Sequence, residues 1–121
     1  MTKIHLKDVL KYKQRRKSHS DYDYGGWYLI ENTLNGKKYI GRSIEYLFRL
    51  RQHVTFKNPK ILIDKEIKKY GMSNFNFYVI DVYSSYNIDF FNRKIQGVIE
   101  QKFIKEYKTN YPYGYNIAYY E

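Results

Sequence analysis

Asn35-Gly36 stands between two short runs of aromatic and β-branched residues, and this arrangement constrains the fold more than any other stretch of the chain. The pair is a strong short-range hairpin signal because both turn positions favour positive φ. Residues 27–32 read as the outgoing strand, Lys38-Tyr39-Ile40 as the return strand, and Gly41 as its end. Tyr28 and Tyr39 therefore fall on adjacent antiparallel strands, in a unit opened by Gly25-Gly26.

Beyond the hairpin the pattern turns helical. Ser43 is placed to cap a helix from 44 to 54. Asn58-Pro59 starts a second helix, with Asn as cap and Pro at the first helical position. Ile61, Leu62, Lys65 and Ile67 populate it, and Gly71 after Tyr70 closes it. Phe75–Val82 alternates with period two and reads as a third strand. A long helix follows over 88–107, with Phe91, Ile95, Val98, Ile99, Phe103 and Tyr107 at helical spacing. Tyr113-Gly114-Tyr115-Asn116 reads as a turn. The order β–β–α–α–β–α gives an α+β fold, a small three-stranded antiparallel sheet flanked by helices. The 121 residues suffice for one compact domain, assigned to 25–121. Residues 1–24 read as a basic N-terminal arm. In it Ile4, Leu6, Val9, Leu10 and Tyr12 make one stripe of a short helix, and 18–24 form a polar linker.

Charge narrows the partner. A net charge of +10 favours a polyanion, nucleic acid ahead of membrane. The basic residues concentrate in 3–17, including Arg15-Arg16-Lys17, and in 37–69. With no cysteine, disulfides, Cys-ligated zinc and a Cys nucleophile are excluded. No run approaches the roughly 18 apolar residues of a membrane span. The charged N-terminus does not read as a signal peptide. The 16 tyrosines partly reflect the codon usage of an AT-rich genome, so their number alone assigns no chemistry.

Position says more than number. Arg49 and His53 are four apart and share a helix face with Glu45. Taken alone, that pattern describes a solvated face with an ordinary ion pair. Glu100 lies beside Val98 and Ile99, with Ile104 four residues on. A carboxylate set against a core is costly unless it is paired or binds a cation, the alternative being a boundary Glu that reaches solvent. In a chain this rich in Tyr, Tyr28 and Tyr39 read first as core aromatics that keep their hydroxyls at the edge.

The stretch from Gly26-Trp27-Tyr28 through Asn35-Gly36 to Tyr39-Ile40-Gly41-Arg42-Ser43 resembles the opening of the GIY-YIG nuclease domain. The resemblance continues in order: Arg49 and His53 on the following helix, Lys69-Tyr70-Gly71 before Asn74-Phe75, the Glu100-Gln101-Lys102-Phe103-Ile104 segment, and the closing Gly114-Tyr115-Asn116. It covers residues 25–118, with Trp27 standing where the family commonly has Ile. The resemblance implies a DNA endonuclease whose site comprises Tyr28, Tyr39, Arg49, His53, Glu100 and Asn116. Glu100 would ligate one Mg2+ (or Mn2+) ion, and no organic cofactor is implied. Arg49 would grip the scissile phosphate. One of Tyr28 and Tyr39 would be general base or orient the attacking water, His53 would serve that Tyr, and Asn116 would organise the site. Lys37, Arg42, Arg51, Lys57, Lys60, Lys65, Lys68 and Lys69, with Arg15, Arg16 and Lys17 of the arm, would contact DNA phosphates. Two forms are compatible with this. One is a stand-alone nuclease from a phage or mobile element, cytoplasmic in a bacterial or phage-infected cell, acting on foreign or branched DNA. The other is the catalytic fragment of a longer homing or restriction endonuclease. A basic nucleic-acid-binding module that cuts nothing is the alternative from another class. Monomer and dimer stay open.

Overall fold

A computed structural model describes residues 2–5, 25–43, 46–55, 57–82 and 92–117. In chain order its elements are β1 (Thr2–His5), β2 (Gly26–Asn32), β3 (Lys38–Ser43), α1 (Tyr46–Thr55), α2 (Leu62–Tyr70), β4 (Phe75–Val82) and α3 (Arg93–Tyr107). A single 3₁₀ turn at Met72–Asn74 leads into β4. The sheet order is β1-β4-β2-β3, antiparallel throughout.

Strand β2 sits in the interior of this sheet and is covered on both faces, which explains its unbroken apolar run. Tyr28 and Ile30 pack with Tyr46, Leu50, Ile63, Ile67, Phe75, Phe77 and Val79 beneath α1 and α2. Trp27 and Leu29 pack on the other side with Ile40 and Phe103 beneath α3. Strand alternation thus sends Trp27 and Tyr28 to opposite layers. The Trp27 indole N–H donates to the Gln96 carbonyl at 3.0 Å, so the large ring is buried with its polar atom satisfied. No described helix is long and apolar enough to cross a membrane.

The α+β class and the β–β–α–α–β–α order hold from β2 to α3, and the sheet gains a fourth strand. Thr2–His5 does not begin a helix; it pairs with Phe77 and its neighbours on the free side of β4. An unpaired sheet edge offers a row of backbone donors and acceptors, and the alternating Thr2 and Ile4 suit a strand. The rest of the expected arm helix, the 18–24 linker and Arg15, Arg16 and Lys17 lie outside the described residues, as do Glu45 and Phe91.

Several boundaries move for identifiable reasons. The β2–β3 loop is not a two-residue turn. It spans 33–37, with the Asn32 and Asn35 side chains accepting from Leu34 N and Lys37 N, both at 2.9 Å, and positive φ at Gly36 alone of the Asn-Gly pair. Gly41 does not end β3 but lies inside it, opposite Tyr28, and Ser43 is strand rather than helix cap. Helix α2 starts at Leu62, without a side-chain cap, instead of at Pro59. Gly71 closes it as expected, with φ +89. Helix α3 starts at Arg93, where the Asn92 side chain accepts from Ile95 N at 3.3 Å. Of its expected stripe, Phe103 is buried and Ile99 and Tyr107 pack beside it, whereas Ile95 and Val98 are exposed and Gln96 is buried in their stead.

Candidate active site

The hairpin sets two tyrosine rings side by side, with centroids 6.3 Å apart. What makes room for them is Gly41. A Cβ there would stand 2.3 Å from Tyr28 Cζ, so any side chain at this position collides with the ring. A bulge between β2 and β4 falls at Trp27/Tyr28, the kind of irregularity that re-aims a side chain beside a site.

Helix α1 lays His53 against both rings, 5.8 Å from each centroid. The Tyr28 hydroxyl is hydrogen-bonded to His53 Nε2 at 2.7 Å. The other ring nitrogen, Nδ1, is hydrogen-bonded to Asp64 Oδ1 of α2. All three residues are buried, and Asp64 is only 2% exposed. Sequence reading missed Asp64. The signal was present: it sits between Ile63 and Ile67 on the apolar stripe of α2, the same anomaly that marked Glu100 on α3.

Burial sets the electrostatics. It raises the Tyr28 phenol well above its ordinary value, with Tyr39 adding to the effect and the Arg49 guanidinium opposing it. Burial likewise pushes Tyr39 up to about 12, again against Arg49. His53 is held below its ordinary value by burial, against the hydrogen bond it makes to Asp64. At neutral pH the phenols are protonated and the imidazole is neutral. Glu100 is raised by burial and lowered by Arg42, whose Nε lies 3.8 Å from its carboxylate.

A groove of about 580 Å³ runs along β3, α3 and the C-terminal turn. Tyr39, Arg42, Glu100 and Asn116 line it. A second hollow of about 340 Å³ holds Arg49 and Asp64 and shares Lys60 and Ile61 with the groove. Tyr39 and Glu100 thus have direct access to a ligand, whereas Tyr28 and His53 stand behind them. Arg49 donates to Gln52 Oε1 at 3.2 Å and lies next to the Tyr39 hydroxyl.

Asn116 is part of the scaffold under the groove. Its Oδ1 accepts from Ile40 N and from Thr109 Oγ1, each at 2.7 Å, and its Nδ2 donates to Ile40 O at 2.9 Å. The side-chain amide thereby seals the free edge of β3 next to Tyr39. Tyr115 extends the seal, its N–H donating to Lys38 O at 2.8 Å and its hydroxyl accepting from Asn32 Nδ2 at 2.9 Å.

The basic residues divide. Arg42 lies inside the groove, paired with Glu100 and donating to Arg93 O at 3.0 Å. Lys60 lines both hollows. Lys57, Lys65, Lys68 and Lys69 are exposed on α2 and the loop before it, away from the groove lining, and Lys37 and Arg51 are half-buried. Arg93 and Lys94, outside both basic segments of the sequence, also line the groove.

No protein-family model matches the sequence. A probable intron-encoded endonuclease 1 from Neurospora crassa is 29% identical over 93 residues, which are 77% of this chain. The chain spans 30% of that relative's length. Among solved structures, the catalytic domain of homing endonuclease I-TevI aligns with a TM-score of 0.59 and 26% identity, over 78% of this chain and 98% of that domain. A point mutant of the same intron endonuclease domain gives 0.60 and 27%, over 78% and 93%. The fold is that of this catalytic domain. Together with the motif order, these neighbours support a GIY-YIG-like nuclease.

Proposed function

We propose that the chain is the catalytic domain of a metal-dependent endonuclease that hydrolyses phosphodiester bonds in DNA. The observation that carries this reading is the convergence of Tyr39, Arg42 and the half-buried Glu100 at one groove, with Arg49 in the adjoining hollow, in a strongly basic chain. Glu100 would hold the metal. No cluster of three His, Cys, Asp or Glu side chains occurs among the described residues, so one carboxylate would be supplemented by water and phosphate oxygens. That donor set fits Mg2+, which keeps several waters and takes few protein ligands. When bound, the ion would lower the pKa of water and neutralise phosphate charge.

The chain's own residues do the rest. Arg49 presents a planar fork suited to two oxygens of one phosphate. Arg42 pairs with the Glu100 carboxylate at the groove and opposes the effect of its burial. Tyr39 reaches the groove with a phenol too weakly acidic to ionise at neutral pH, so it orients water or phosphate by hydrogen bonding. Lys60, Arg93 and Lys94 at the groove and the outer lysines of α2 hold the duplex through its backbone, which fixes position without reading sequence. The test is incubation of supercoiled plasmid with the purified protein, with Mg2+ or with EDTA, followed by sequencing of the cut ends. Nicked or linear product in Mg2+ and none in EDTA is expected. Tight DNA binding without cutting in Mg2+ or Mn2+ would overturn the reading in favour of a binding module.

A further inference from the structure

We propose that Asp64 is a positioning residue that sets the direction of the hydrogen bonds in the Asp64–His53–Tyr28 chain, so that Tyr28 turns only lone pairs toward the groove side. The inference rests on the nuclease reading and deepens it.

The argument is one of donors and acceptors. A carboxylate accepts and cannot donate. Its contact with His53 Nδ1 therefore requires the proton on Nδ1. In a neutral imidazole the other nitrogen is then an acceptor, so Nε2 takes the hydrogen bond and the Tyr28 hydroxyl donates it at 2.7 Å. Burial, which holds His53 neutral, keeps this polarity in force at neutral pH. With its single proton committed to His53, the Tyr28 oxygen can only accept from its other neighbours. Those bearing charge or a titratable proton are Tyr39 on β3, Arg49 on α1 and Glu100 on α3, beyond Asp64 itself on α2. An oxygen that donates to a base on one side is a better proton acceptor on the other.

The proton balance is simple. A proton leaving the attacking water is passed inward to the Tyr28 oxygen, which stands behind Tyr39, and the original Tyr28 proton passes to His53 Nε2. The resulting imidazolium is stabilised by the Asp64 carboxylate against which it lies. The new P–O bond forms as the P–O bond to the leaving oxygen breaks, and that oxygen takes a proton from solvent.

Asp64 is suited to such a role more than to fold stability. A buried carboxylate whose Oδ2 makes no hydrogen bond within the described residues is a poor stabiliser. Asp64→Asn keeps the shape but permits the reversed chain: the amide NH2 donates to Nδ1, Nε2–H donates to Tyr28, and the Tyr28 proton points away from His53.

The test combines 15N NMR of the His53 ring with single-turnover cleavage of supercoiled plasmid in Mg2+. Wild type is expected to show the Nδ1–H tautomer, and Asp64→Asn to shift toward Nε2–H with a lower imidazole pKa. Cleavage by Asp64→Asn should slow by about 100-fold or more, the scale of proton-transfer assistance, with DNA affinity unchanged. Added to His53→Ala, Asp64→Asn should cost little further. An Nε2–H tautomer in wild type overturns the proposal whatever the variants do, as does a shifted tautomer with undiminished cleavage. A wild type that cuts no DNA but shows the Nδ1–H tautomer refutes the nuclease reading and, with it, the catalytic part of this proposal, leaving the hydrogen-bond assignment standing.

Discussion

Phe in place of Tyr28 or Tyr39 removes one oxygen and keeps a ring that fills the core, so it separates chemistry from packing. Both variants are expected to stay folded by circular dichroism. At least one should lose about 100-fold or more in single-turnover cleavage. Wild-type rates in both would make the tyrosines purely structural. Tyr39 also predicts a pH effect on stability. Its pKa rises from an ordinary 10 to about 12 in the folded protein. Between those values the unfolded chain binds fewer protons than the folded one, so stability is full below pH 10 and falls as pH rises toward 12. Urea midpoints measured across that window should drop for wild type, and less steeply for Tyr39→Phe. At this scale motif order singled out the tyrosines, Arg49, His53 and Glu100 as candidates. It did not yield Asp64, whose partner lies on another helix. Spacing within a helix reveals pairs such as Arg49 and His53; contacts between helices appear only once the sheet has placed them.

Among the elements, β3 carries the site, and two small features define it. Gly41 leaves the space that Tyr28 fills. Gly41→Ala would set a methyl carbon 2.3 Å from Tyr28 Cζ, forcing the ring or the strand to move. The expected cost is about 1–3 kcal/mol, the range for overpacking, with cleavage lost even where the fold survives. Asn116 seals the other side. Asn116→Ala leaves Ile40 N–H and C=O without their partners. Thermal unfolding should report a loss of about 2 kcal/mol, as expected for stranding buried polar groups, and Tyr39 should be misplaced with it. A variant as stable and active as wild type would contradict the edge-sealing role. The hairpin, the Gly71 stop and β4 were legible because turn glycines and period-two alternation are local. The N-terminal strand was not, since its four residues become a strand only through pairing with β4 far along the chain. The outward placement of Ile95 and Val98 on α3 has a similar origin. The sheet residues Trp27 and Ile40 receive Phe103, with Trp27 also bonded to the Gln96 carbonyl, and Ile95 and Val98 are left outside.

For the molecule as a whole, the proposed function makes the charge of +10 the driver of encounter with DNA. Several phosphate contacts should make log affinity fall with log salt at about −0.9 per contact on duplex DNA. Neutralising Arg15, Arg16 and Lys17 together should flatten that slope in a filter-binding titration. An unchanged slope would remove the N-terminal arm from the interface. The central claim is that a carboxylate on α3 recruits the metal that makes this basic fold a nuclease. Glu100→Gln tests it with the smallest change, keeping shape and one acceptor oxygen while removing the charge. The decisive measurement is single-turnover cleavage of supercoiled plasmid at saturating enzyme in Mg2+, wild type beside Glu100→Gln, with circular dichroism and DNA affinity as controls. The account predicts an intact fold, retained binding and abolished cleavage in the variant; cleavage by Glu100→Gln at the wild-type rate would contradict it.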